Sequence, residues 1–149
     1  MKVVYFNKTT NKTYVDVLPN DAEAGDYEAT VTVDGTLNYK GLSTIVTFKI
    51  TKANVALPTV AFENNTRSTV YKEEGQVAVT QKPFVNGSYA NGTIDGVAYT
   101  VSYKNANSAQ VGSYELTVTL VDGVNYVWRN STSNERTYTY TITKASNAI

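Results

Sequence analysis

The residue types best suited to binding a ligand gather in one loop, shortly before the last strand-like segment of the chain. Tyr126 and Trp128 bring aromatic rings, and Trp128 is the single Trp among 149 residues. Arg129 and Asn130 follow directly and bring a guanidinium and an amide. An exposed aromatic ring can stack on the apolar face of a sugar while such neighbours hydrogen-bond its hydroxyls. These four residues are therefore the candidate ligand-binding residues, and the ligand class is a carbohydrate.

A second interpretation of Trp128 places this side chain in the protein core. Trp128 lies two residues after Tyr126, so in an extended strand both side chains point to the same face. If that face is buried, the large area of the indole contributes to folding rather than to recognition. The sequence leaves both interpretations of Trp128 open and favours the core.

Carboxylates elsewhere in the sequence offer two further candidates. Residues 21–28 are rich in acidic side chains and could present oxygen ligands to Ca²⁺, which takes about six to eight of them. Their spacing does not match an EF-hand loop, and strand alternation places Asp26 and Glu28 on a solvated face. Glu73 and Glu74 are adjacent, so in a strand their side chains diverge instead of flanking one glycosidic bond. A solvated surface is the better interpretation of all these carboxylates.

Composition removes several classes of chemistry. The chain contains no Cys and no His, which removes thiolate zinc sites, disulfides, the Ser-His and Cys-His nucleophile pairs and the usual general base at neutral pH. Thirteen basic residues balance thirteen acidic ones, and no basic cluster suits a nucleic-acid partner. No apolar run approaches the length that crosses a bilayer, and the segment after Met1 is strand-like rather than a signal peptide. The sequence predicts a protein that is not an enzyme, binds no cofactor or metal, binds no nucleic acid and inserts in no membrane.

The elements that must position these residues are strands, and they occur twice. Segments 47–53 and 139–145 both alternate a large apolar residue with Thr or Lys, which is the period of a half-buried strand. Segments 25–33 and 112–120 match each other in the same way. The offset between the copies is 87 residues at the earlier segments and 92 at the later ones, so the second copy carries five extra residues, after Tyr126. No long stretch has helical periodicity, and the sequence predicts an all-β fold.

The repeats predict two domains of unequal size. Residues 53–149 form a full repeat, whereas residues 1–52 form a partial or small β repeat, because segment 59–93 has no counterpart before it. Pro58 restricts Leu57 to extended geometry, which makes the junction stiff. About fifty residues without disulfides or metal give a marginal core. The first repeat is therefore expected to pack against the second or to take strands from a neighbour.

Strand alternation also predicts details within each repeat. Segments 3–7 and 13–18 are β-prone and are joined by a polar connection of hairpin length. In the second repeat, one face of each strand is apolar and should form the core. The predicted core residues are Tyr99, Val101, Tyr103, Tyr114, Leu116, Val118, Leu120, Tyr138, Tyr140 and Ile142.

The repeated pattern resembles the tandem Ig-like and MBG-type repeats of large bacterial cell-surface proteins. The resemblance rests on Ala24-Gly25-Asp26-Tyr27, then Asn38-Tyr39-x-Gly41, then Phe48-x-Ile50-Thr51-Lys52-Ala53. Such repeats carry a Gly-x-Tyr strand, an Asn-Tyr pair and a closing Ile-Thr-Lys-Ala strand in this order. The second set of matches consists of Val111-Gly112-Ser113-Tyr114, Asp122-Gly123-x-Asn125-Tyr126 and Tyr140-x-Ile142-Thr143-Lys144-Ala145.

The resemblance implies a fold, a place and a role. It implies tandem Ig-like β-sandwich units, with β-grasp-like units as the alternative, in a spacer or adhesin module on the outside of a bacterial cell. It implies no catalytic residues, and the partners would be a host glycan or protein receptor, or neighbouring repeats of the same chain. The second copy departs from the pattern where residues 127–129 replace the expected Gly. Lys52 and Lys144 close their strands and are conceivable donors for an isopeptide crosslink, although solvated amines are the simpler interpretation.

Overall fold

The computed structural model describes residues 1–72, 81–105 and 109–147, and these residues form thirteen strands and no helix. The prediction of an all-β fold is therefore confirmed. The chain divides into two compact units, Met1–Ala53 (unit 1) and Asn54–Ile149 (unit 2). The strands of unit 1 are β1 (Lys2–Asn7), β2 (Thr13–Val15), β3 (Gly25–Val33) and β4 (Leu42–Ile50).

Unit 1 is one antiparallel sheet with the strand order β2-β1-β3-β4. The predicted hairpin at the start of the chain is present as β1 and β2, and Asn11 takes the positive φ of 62° that its turn requires. Along β3 the side chains alternate between the faces of the sheet, so that Tyr27 and Ala29 are buried while Asp26 is exposed. One face of the sheet therefore carries the buried side chains of β3.

The described residues of unit 2 form one large sheet and two small ones. The large sheet has the order β7-β13-β11-β10-β9, and the small sheets pair β12 with β5 and β6 with β8. Asp95 and Gly96 both have positive φ, which is the conformation of a two-residue hairpin turn between β9 and β10. The strands are β5 (Ala53–Val55), β6 (Val60–Ala61), β7 (Ser68–Val70), β8 (Phe84–Val85), β9 (Gly92–Ile94), β10 (Val97–Tyr103), β11 (Gly112–Leu120), β12 (Tyr126–Trp128) and β13 (Glu135–Thr143).

The core of unit 2 joins the large sheet to the four short strands β5, β6, β8 and β12, which we call the cover. Each cover strand contributes one buried side chain, and the large sheet contributes five. The predicted core residues are all buried or packed against this cluster, so that prediction is confirmed. The buried cluster consists of Val55, Val60, Val85 and Trp128 from the cover and Tyr99, Leu116, Val118, Leu120 and Tyr140 from the large sheet.

Candidate functional site

Trp128 lies in the core of unit 2 and has 0% exposure. Its indole Nε1 donates a hydrogen bond to the backbone oxygen of Val118 at 3.1 Å, so the polar atom of the ring is satisfied inside the protein. The backbone N of Arg129 donates to the oxygen of Val55 at 2.8 Å and holds β12 next to β5. This position corrects the interpretation of Trp128 as a stacking platform, because no face of the ring is open to a sugar. The core interpretation describes where the side chain lies.

The five extra residues of the second copy lengthen the loop between Tyr126 and Tyr140, and this loop folds back on Trp128. After Trp128 the chain turns back at Asn130, which has a φ of 59°, and the N of Ser131 donates to the oxygen of Trp128 at 3.1 Å. The N of Trp128 donates to the oxygen of Ser133 at 3.2 Å, which closes the loop. On the other side, Nδ2 of Asn134 donates to the oxygen of Leu120 at 3.0 Å. The longer loop of the second copy is therefore held by its own hydrogen bonds next to the buried Trp128.

The other three predicted ligand-binding residues do not surround an exposed ring. Tyr126 is half-buried and packs against the core cluster, while Arg129 and Asn130 are exposed at the turn. Their use in binding a carbohydrate stays a prediction, and it now rests on polar groups at a loop tip. The geometry of this loop by itself performs a structural task.

Three of the four carboxylates of residues 21–28 pair with lysines, and the fourth, Asp21, is exposed. The amine of Lys49 lies 3.5 Å from Asp26, and the amine of Lys8 lies 3.5 Å from Glu28. Glu23 pairs with Lys12, and this contact raises the pKa of the Lys12 amine above its ordinary value. Among the residues that the structure describes, no group of three or more acidic, His or Cys side chains is arranged to hold a metal. Exposed pairs of this kind stabilise a fold by about 0 to 1 kcal/mol each.

Two smaller candidates from the sequence add no site. Glu73 and Glu74 lie outside the described residues. Lys52 and Lys144 are both exposed at the ends of their strands. The carboxylates and amines of the described chain therefore lie on its surface.

Each unit contains a tyrosine whose hydroxyl is hydrogen-bonded to the backbone upstream of its own strand. We call this arrangement the tyrosine clamp. The hydroxyl of Tyr27 donates to the backbone oxygen of Glu23, and the hydroxyl of Tyr114 donates to the oxygen of Gln110 at 2.6 Å. In each case the acceptor lies four residues upstream, so the tyrosine fixes the chain that enters its strand. Burial is the main cause that raises the pKa of Tyr27 above its ordinary value.

Each clamp tyrosine also stacks on an aromatic residue of the neighbouring strand. Tyr27 lies opposite Phe48, with ring centroids 5.1 Å apart and planes at 6°. Tyr114 lies opposite Tyr140, at 5.4 Å and 22°. The offset is 87 residues within the first pair of equivalent strands and 92 within the second, so the two copies have the same strand register. Stacked pairs of this kind contribute about 0.5 to 1.5 kcal/mol beyond their buried area.

A glycine begins both clamp strands for a conformational reason. Gly25 has a φ of 152° and Gly112 a φ of 157°, a region that side chains with a Cβ rarely adopt. At Gly25 a Cβ would also collide with the side chain of Asn7. Asn7 is fully buried and its Nδ2 donates to the oxygen of Ala24 at 3.2 Å. Close approach of Asn7 to the backbone therefore adds a second requirement for glycine in unit 1.

The two units share a third strand in addition to the two repeated strands that the sequence predicts. Tyr5 pairs with Ala29 and Tyr103 pairs with Leu116, so β1 and β10 occupy the same place beside the clamp strand. The motif Val-x-Tyr-x-Asn occurs at residues 3–7, within β1, and at residues 101–105, from β10 into the turn that follows it, with an offset of 98 residues between the copies. Unit 1 therefore has eleven more residues between this strand and the glycine than unit 2 has. Because of them, the offset between the copies at this strand differs from the offset of 87 residues at the glycine. The short motif was the signal that could have revealed the shared strand.

Comparisons with family models, with curated proteins and with solved structures gave no match. In the part of the chain that the structure describes, there is no helix with the length and apolar composition needed to cross a lipid bilayer. The comparison that the molecule itself provides is between its two units, which share three strands and the tyrosine clamp.

Proposed function

We propose that this chain is a non-enzymatic structural module of a bacterial surface protein, made of tandem Ig-like repeats in which unit 2 is a β-sandwich and unit 1 is a single sheet. The observation that carries the proposal is the tyrosine clamp, which recurs with the same strand register and the same aromatic stacking in both units. A tyrosine whose hydroxyl bonds back to the backbone a few residues upstream is a hallmark of Ig-like sandwiches. The clamp therefore supports the Ig-like architecture over the β-grasp alternative.

A structural role fits the way in which the large aromatic side chains are used inside the fold. The hydroxyls of Tyr27 and Tyr114 are hydrogen-bonded to the backbone, and the ring of Trp128 fills the core. The two hydroxyls fix the backbone that enters each clamp strand, and the indole of Trp128 holds β12 against β11. Nine-residue antiparallel pairs such as β3 with β4 extend the same reinforcement along the sheet. A spacer that holds other parts of a surface protein apart needs this property.

The location is tested on intact cells. Antibodies raised against the purified chain should label unpermeabilised bacteria that carry its gene, and brief protease treatment of the cells should remove the label. Labelling that requires permeabilised cells would overturn the proposed surface location.

The structural role is tested separately from the location. On glycan and extracellular-matrix protein arrays, we expect the wild-type chain and an Arg129→Ala, Asn130→Ala double variant to give the same background signal. Saturable binding by the wild type that the double variant loses would instead favour the carbohydrate-binding alternative, with the loop tip as its site.

A further inference from the structure

The apolar face of unit 1 is exposed where the equivalent face of unit 2 is covered. Val33 of β3 is 43% exposed, whereas Leu120, which occupies the same position in β11, is 0% exposed. On β4, Leu42 and Val46 lie opposite Val33 and Ala29, so they belong to the same face, and both are exposed. We call Val33, Leu42 and Val46 the open face. Exposed neighbouring apolar side chains of this kind mark an interaction surface.

Unit 2 shows what belongs on such a face. The side chains of Val55, Val60 and Trp128 come from the cover and pack in one cluster with Val118 and Leu120 of the large sheet. Unit 1 consists of the four strands β1 to β4 in one sheet, and no segment within it occupies the place that β5, β6, β8 and Trp128 take in unit 2. Its open face is therefore the acceptor half of an interface whose complete form is present in unit 2.

The edge of unit 1 is also an acceptor. In unit 2 the last strand β13 pairs in parallel with β7, and Ile142 lies beside Thr69. The N of Tyr71 donates to the oxygen of Thr143 at 2.8 Å, so hydrogen bonds continue past the end of β7. In unit 1 the equivalent strand β4 is the terminal strand of its sheet and pairs with β3 alone. An edge strand next to an uncovered apolar face is a template for an added strand.

We propose that unit 1 binds a polypeptide segment of the same chemistry as residues 54–72, supplied by another polypeptide. The segment adds a parallel strand to the end of β4 near Ile50, which is equivalent to Ile142, and places apolar side chains on the open face. One segment of this length contains both parts, because Val55 and Val60 enter the core of unit 2 and Ser68–Val70 forms its edge strand. Packing of two open faces against each other would leave both β4 edges unpaired. The inference does not depend on the surface location or on the structural role proposed above.

The test uses the full chain and a synthetic peptide of residues 54–72 with a fluorophore at its N-terminus. We expect the fluorescence anisotropy of the peptide to rise to saturation as the protein is added. Val46→Glu should weaken binding at least tenfold, which corresponds to about 1.4 kcal/mol. The matched control is Ile45→Glu, because Ile45 is 60% exposed against 53% for Val46, on the same strand but on the opposite face. Ile45→Glu should leave the affinity within about twofold of the wild type.

Further variants separate folding from binding and the edge from the face. If either Glu variant alters the circular dichroism spectrum, the pair Val46→Thr and Ile45→Thr keeps the β-branched shape and repeats the comparison. A peptide with Thr69→Pro lacks one backbone donor of the added strand and should bind more weakly than the parent peptide.

Three outcomes would overturn the proposal. The first is the absence of saturation up to about 1 mM protein. The second is equal binding by the Val46 and Ile45 variants, which would place the peptide elsewhere, such as in unit 2 in exchange for its own segment. The third is self-association of the wild-type chain that Val46→Glu abolishes and the peptide does not reduce, which would identify a second copy as the occupant.

Discussion

Units 1 and 2 hold the same three strands in the same register but bury them to different degrees. In both units a tyrosine stacks across the sheet and bonds to the backbone four residues upstream. Only unit 2 has a cover, and its equivalent of Val33 is completely buried. The clamp therefore forms locally and needs no second layer, whereas the burial of the sheet depends on segments from outside it.

The largest loss of stability should come from truncating Trp128, which is buried in the core of unit 2. Trp128→Ala removes the largest fully buried side chain and the indole donor to the oxygen of Val118. We expect unit 2 to lose about 3 to 5 kcal/mol of unfolding free energy. Differential scanning calorimetry should show a lower melting temperature for the transition of unit 2.

The control for Trp128 lies in unit 1. Tyr39 has the position of Tyr126 in the repeat and is exposed, so Tyr39→Ala should change the unfolding free energy by less than about 0.5 kcal/mol. An unchanged melting temperature for Trp128→Ala would contradict the burial of this side chain.

The next effect should distinguish the two glycines. Gly25→Ala combines an unfavourable φ with a collision against Asn7, and we expect it to cost about 3 kcal/mol. Gly112→Ala has the unfavourable φ, but its new Cβ would lie 3.8 Å from the ring of Tyr114, so a cost of about 1 kcal/mol is expected. Urea denaturation of the two variants measures the difference. Equal costs would mean that backbone conformation alone sets the requirement for glycine.

Removing the clamp hydroxyls should affect both units to a similar and smaller extent. Tyr27→Phe and Tyr114→Phe each delete one hydrogen bond to a backbone oxygen while keeping the stacked ring. We expect a loss of about 1 kcal/mol in the unit that carries the change. Chemical denaturation followed by circular dichroism checks both variants. A loss in one unit only would show that the clamps are not equivalent.

Alkaline pH should lower the stability of unit 2 gradually, and this is the smallest effect that we expect. Burial raises the pKa of Tyr103 from 10.0 to about 12, and its hydroxyl donates to the oxygen of Pro83 at 2.8 Å. Burial also raises the pKa of Tyr138 and of Tyr140, which are in unit 2 as well. A raised pKa in the folded state means that the unfolded state loses its proton first as the pH rises. The stability of unit 2 is therefore complete below pH 10 and falls between pH 10 and about pH 12.

Thermal melting at a series of pH values checks this decline. Tyr103→Phe should make the stability of unit 2 fall less steeply above pH 10.0, since it removes one group that titrates in this range. An identical pH profile for the variant and the wild type would contradict the role of Tyr103.

Strand alternation and internal repetition were enough to predict much of the fold. They predicted the all-β class, the first hairpin and the core side chains of the large sheet, because these follow from the local period of two. The sequence also predicted the two clamp strands, since the spacing between Gly25 and Tyr27 recurs unchanged at Gly112 and Tyr114. Properties that depend on neighbouring residues along one strand can therefore be predicted from the sequence.

Properties that depend on contacts between distant segments could not be predicted from the sequence. The direction of the Trp128 ring stayed open because it depends on β5, whose partner in the sheet cannot be read from spacing. The match between β1 and β10 was hidden by eleven extra residues in unit 1. The parallel pairing of β7 with β13 leaves no local signal, and the exposure of Val46 depends on a layer that only unit 2 contains.

The parallel pairing in unit 2 also has a consequence for the order of folding. Thr69 of β7 pairs with Ile142 of β13, a separation of 73 residues, whereas Val33 and Leu42 in unit 1 meet across a short connection. Contacts between distant residues slow folding because the entropy of closing a long loop is lost before the contact forms. During synthesis, unit 1 can pair its strands while unit 2 is still emerging, but β7 must wait for the last strand of the chain. Nascent unit 2 therefore carries an unpaired β7 until β13 has been synthesised, and such unpaired strands are open to aggregation.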